Sequence, residues 1–144
     1  MGSDSRRLAH TAVWPELRAF NAVLTAACVL DELEVGIACM GVIEHAFAGI
    51  SAAIGQAVAA RGWVQEDRLI HYRLHAQVDE RHAEEFFAVI EPRWRTTARR
   101  YYIEQGLELG AYIFDRLYRD LYDRGARLTR RPRPGRGPHA GRRP

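Results

Sequence analysis

From Trp14 to Arg127 the apolar residues return every three or four positions, and no alternating run is long enough for a strand. The pattern predicts an all-α chain without internal repeats. Punctuation divides it into four main helices. The first starts near Pro15, a residue suited to a first helical turn, and runs through "ELRAFNAVLTAACVL". The second spans about 31–60, opens on acids that complement a helix N-terminus, and stops at "RGW", where Gly62 ends it. The third spans about 65–90 and stops before Pro92; the fourth runs from "RWRTTARRYY" to Gly125. Four helices with short joints imply an antiparallel bundle around a common core, the usual place for a bundle's cofactor site.

A chain of 144 residues suits one domain with one core. The expected division is a flexible N-terminus over 1–13, a helical bundle over 14–126, and a disordered tail over 127–144. That tail, "RLTRRPRPGRGPHAGRRP", holds seven arginines and no acid. The formal charge of +3 therefore belongs to the tail: the rest carries 14 basic against 18 acidic residues, so nucleic acid is not an expected partner. The longest apolar candidate, 22–43, is cut by "DELE", which leaves no uninterrupted run of the roughly 18 residues a membrane helix needs. The opening residues lack a secretory signal, and Cys28 and Cys39 read as buried free thiols of a reducing compartment, so a cytoplasmic location is expected. The tyrosines of the last helix, Tyr101, Tyr102, Tyr112, Tyr118 and Tyr122, fit core packing.

The stretch "LIHYRLHAQVDERHAEEFF", 69–87, departs from an ordinary core-facing helix. With roughly 100° of rotation per residue and His75 at zero, Asp79 falls at about +40°, His82 at about −20° and His71 at about −40°. Leu74, Val78, Phe86, Val89 and Ile90 flank this stripe, while Arg73, Gln77, Glu80, Arg81 and Glu84 lie opposite. The stripe is thus expected at the centre of the buried face. On the preceding helix Glu44 falls among Leu33, Ile37, Met40, Phe47 and Ala48, which makes it a second inward acid; His45 lies toward the edge. Unpartnered carboxylates and imidazoles are costly inside a protein. A hydrogen-bond network, an organic ligand or a metal would satisfy them. Imidazole and carboxylate donors at spacings of three and four suit iron, zinc or manganese, and Glu44, His75, Asp79 and His82 form the candidate ligand set.

In "HAQVDERH", with His-x3-Asp-x2-His at His75, Asp79 and His82, and in "MGVIEHAF", with Glu44 about thirty residues upstream, the chain resembles the haem-oxygenase-like di-iron oxidases. That superfamily also holds thiaminase II and the pyrroloquinoline quinone synthases, and the likeness covers about 15–125. The resemblance implies a haem-oxygenase-like helical bundle holding one or two irons and using O₂ as co-substrate to oxidise, hydroxylate or cleave a small molecule. It implies Glu44 as a carboxylate able to bridge the irons. Family members carry a further Glu and His on an earlier helix, farther upstream of Glu44 than these residues extend. Glu16, Glu34, His10 and His45 do not reproduce that pair, so a homodimer or a partner chain is expected to complete the bundle. A non-catalytic helical subunit and a metal-free enzyme of the same superfamily are the competing readings.

Overall fold

The computed structural model describes residues 13–130, with side chains to Arg127; the flexible N-terminus expected over 1–13, Val13 apart, and most of the expected 127–144 tail lie outside the described residues. Among the described residues there are four α-helices: α1 Pro15–Val29, α2 Leu33–Ala60, α3 Ile70–Ile90 and α4 Thr97–Arg130. Two short 3₁₀ segments, Glu66–Arg68 and Glu91–Arg95, precede α3 and α4. No strand occurs among the described residues, so the chain is all-α.

The helix ends follow local chemistry. Pro15 opens α1, and Glu16 in its first turn pairs with Arg124 of α4 at 2.7 Å. Gly62 ends α2: its φ of +63° suits glycine, and Gly62 N–H and Trp63 N–H donate back to the carbonyls of Ala59 and Val58. The third α-helix starts at Ile70 rather than near 65, because Glu66–Arg68 form a tighter turn first. Nor does α4 end at Gly125. It continues to Arg130, past the expected start of the tail, since one glycine weakens a helix by only about 1 kcal/mol and no proline follows until position 132.

Successive helices run antiparallel. Ala27 of α1 lies against Gly36 of α2, Phe86 and Phe87 of α3 lie against Gly41, and Tyr72 lies against Gly55. The centre is less regular than an open four-helix square. A Cβ on Gly110 would come within 2.6 Å of the Cys39 carbonyl oxygen, and one on Gly106 would overlap the Val35 carbonyl. These two glycines, four residues apart, let α4 lie backbone to backbone along α2, and the two helices run parallel. α1 and α3 flank that pair and hardly touch each other.

The apolar core is accordingly in two parts. Ala27, Val35, Cys39, Ile43, Ile113 and Phe114 pack between α1, α2 and α4. Ala38, Ile90 and Ile103 pack between α2, α3 and α4, and full burial of a side chain such as Ile103 stabilises by about 1.5–3 kcal/mol. Of the α4 tyrosines, Tyr102 and Tyr118 pack on the first part, whereas Tyr101, Tyr112 and Tyr122 are exposed, contrary to a core role for all five. By length and composition α2 could cross a membrane, with a mean hydropathy of 1.7 over its most apolar window. In this fold it is the helix that touches all three others.

Candidate metal centre

The seam between α2 and α3 brings the candidate residues together. Glu44 projects from the middle of α2, and Asp79 and His82 project from α3 with the three-residue spacing that places both on one helix face. One donor atom from each of the three lies within 4.8 Å of the others. His82 Nδ1 stands 3.9 Å from Glu44 Oε2. The Asp79 side chain is 1 % exposed, Glu44 and His82 are partly buried, and His45 is exposed at the edge as its angle implies.

His75 occupies a different position from the other three. Its Nδ1 lies 2.8 Å from Asp79 Oδ1 and 3.1 Å from Oδ2, so the carboxylate accepts a hydrogen bond from a ring protonated at Nδ1. This contact fixes the Asp79 rotamer from one turn away. The ring of Phe47 meets His75 edge-on at 6.0 Å, and the ring of His71 lies 4.3 Å from it on the exposed side. His75 therefore stands outside the three-donor group and braces one of its members.

The two acids are in contact. Burial, followed by the charge of Asp79 and a hydrogen bond to it, holds the Glu44 carboxyl above the usual carboxylate range, while His82 and His75 pull in the opposite direction. Crowding two carboxyl groups in a half-dry seam is unfavourable unless a proton or a cation lies between them. A transition metal fits such a donor set. At bonds near 2.1 Å the ligand atoms of a tetrahedral ion stand about 3.4 Å apart, so donors spread over as much as 4.8 Å would have to close in by up to about 1.4 Å. Three protein donors would leave part of the coordination shell of such an ion unfilled.

The polar stripe lies at the rim of the buried face rather than at its centre. α2 covers only the side of α3 that carries Tyr72, Ala76, Asp79 and Ala83. On the other side Ile70, Leu74 and Val89 are 70, 53 and 49 % exposed. Periodicity located the apolar face correctly but could not say how much of it a neighbour covers.

The acids considered as substitute ligands are engaged elsewhere. Glu34 is fully buried and accepts from Arg93 Nη1 at 2.7 Å and Arg99 Nη1 at 3.2 Å, and Glu16 is paired with Arg124; His10 lies outside the described residues. Comparison with protein-family models, with curated proteins and with solved structures finds no match to this chain.

Proposed function

We propose that the chain holds a transition-metal ion at Glu44, Asp79 and His82, with His75 bracing Asp79, and acts as an iron-dependent oxidase or oxygenase on a small molecule. The observation that carries this reading is the fully buried Asp79 carboxylate in contact with a second carboxyl from another helix and with an imidazole within reach of both. Iron bound there, as one ion or as part of a pair, would supply O₂ activation at its open positions. The His-x3-Asp-x2-His pattern with its upstream Glu supports a haem-oxygenase-like arrangement, and the free thiols of Cys28 and Cys39 support a cytoplasmic setting.

The test is anaerobic loading of the purified chain with Fe(II), counting metal per chain and following O₂ uptake. Retention near one or two irons, lost in both Asp79→Ala and His82→Ala, with O₂ consumed only by the loaded wild type, supports the reading. Negligible iron in all three sinks it. Iron retained without O₂ uptake leaves a metal site and removes the oxidase.

A second reading rests on the uncovered flank of α3. Exposed Ile70, Leu74 and Val89 beside the donors form an apolar edge of the kind that a second copy or a partner chain covers, which would also complete the donor set. Leu74→Asp separates the two readings. If association alone is the role, the variant turns an oligomer into a monomer while wild type and variant bind no metal.

A further inference from the structure

On the uncovered flank of α3 we infer a second metal site, separate from the three-donor group, in which His71 and His75 together chelate an imidazole-preferring divalent ion, Cu(II) foremost. It does not rest on the iron reading: neither histidine belongs to the group formed by Glu44, Asp79 and His82, and the ion it suits is of another class.

The two rings are placed as a chelate needs. Residues four apart on a helix stand one above the other on one face, and here the ring centres lie 4.3 Å apart with the planes tilted by 53°. Two imidazoles on one ion, with N–metal bonds near 2.1 Å, hold their ring centres roughly 4.6–5.3 Å apart, so the pair has to open by only about 0.3–1 Å. Among the described residues no hydrogen bond or ion pair engages the His71 ring.

His75 is prepared for ligation by the contact that braces Asp79. Its Nδ1 donates to that carboxylate at 2.8 Å, which keeps the proton on Nδ1 and leaves the lone pair of Nε2 bare. Nε2 lies across the ring from Nδ1, and Asp79 stands one turn toward the C-terminus, so Nε2 faces the other way, toward the turn that carries His71. The edge of Phe47 borders the ring on the α2 side. A carboxylate on the second nitrogen is the usual partner of a metal-bound histidine, because it fixes the tautomer and makes the ligand more basic.

The donor set fixes the ion class. Two neutral nitrogens without a carboxylate suit Cu(II), Ni(II) and Zn(II), with Cu(II) bound most strongly, whereas Mg(II), Ca(II) and Mn(II) prefer oxygen. Access is open. His71 is exposed, the His75 side chain is 36 % exposed, and water can complete the shell of an ion held there.

The experiment is a Cu(II) titration of the full chain carrying Glu44→Gln and His82→Ala, read by electron paramagnetic resonance and by competition with a chelator of known affinity. Those two changes remove inner donors, so the result is the same whether or not the inner group holds iron. One tightly held Cu(II) per chain with hyperfine structure from two imidazole nitrogens is expected, undisturbed by a large excess of Mg(II). Adding His71→Ala or His75→Ala should weaken it by about 100-fold each, since either change turns a two-point chelate into a single contact. His75→Gln serves if the alanine variant does not fold. His10, His45 and His139 remain in every variant, so copper held undiminished after His71→Ala would belong to them and overturn the chelate. No tight copper, loss on changing His75 alone, or displacement by Mg(II) would overturn it as well.

Discussion

His75 Nδ1 stands 2.8 Å from Asp79 Oδ1, one helical turn away, and so holds the most buried carboxylate of the candidate centre by a contact that leaves both Glu44 and His82 free to approach it. Ligand and brace should separate on mutation. We expect His82→Ala and Asp79→Asn to abolish high-affinity binding of Fe(II) or Zn(II) and His75→Ala to weaken it by about 10–100-fold, the usual effect of removing a group that orients a ligand. Competition against a chromogenic chelator measures all three. Equal, complete loss in all of them would make His75 a ligand instead.

Acid should loosen the fold through Glu34. Burial pushes its carboxyl upward, but its backbone hydrogen bond and the Arg93 and Arg99 guanidiniums outweigh burial and hold it below the usual range. A depressed folded-state value means that the stabilisation is present above the unfolded value near 4.5 and is lost as pH falls through the lower folded value. Urea midpoints should therefore fall below about pH 4.5, and Glu34→Gln should flatten that fall; Glu16, lowered by its own backbone hydrogen bond and by Arg124, contributes in the same sense.

At neutral pH the same cluster gives a second measurement. Arg93→Ala leaves the fully buried Glu34 with the more distant Arg99 alone and should cost about 1.5–3 kcal/mol in denaturant unfolding. A loss under 0.5 kcal/mol would mean that Arg99 suffices.

Glycine-to-alanine changes should have opposite signs at two sites. At Gly110 an added methyl meets the Cys39 backbone, so the variant should lose about 1–3 kcal/mol despite better helix propensity. At Gly49 nothing lies within 4 Å, and the same change should gain about 0.5–1 kcal/mol. Thermal unfolding of both variants checks the α2–α4 approach directly.

The two thiols should differ in reactivity. Cys28, expected to be buried, is exposed near the end of α1, whereas burial, and then the nearby Cys28 and Asp31, push Cys39 up to about 11. A thiol reagent at pH 8 should label one cysteine per native chain and two after denaturation.

Much of this was legible in the residues. Helical spacing gives the four helices of the described residues, Pro15 and Gly62 mark real ends, and Glu44, Asp79 and His82 bring one donor atom each within 4.8 Å of the others. What escaped was relational. The sequence carries Gly106 and Gly110 in plain view, but their meaning depends on α2 lying parallel to α4, a pairing that short loops between antiparallel neighbours do not suggest. The distinction of His75 from His82 depends on rotamers, not on angle around the helix. His71 shares the stripe of His75 one turn away, a signal that was available; that the two rings lie 4.3 Å apart, with one His75 nitrogen taken by Asp79, becomes visible only in three dimensions.

Because α2 touches every other helix while α1 and α3 hardly meet, the four helices should not release together. Amide exchange should begin in α1, which can swing away without separating Glu44 from Asp79, and should be slowest along α2. Of the three candidate donors, Glu44 thus stands on the helix that opens last, and Asp79 and His82 stand on the helix packed most extensively against it.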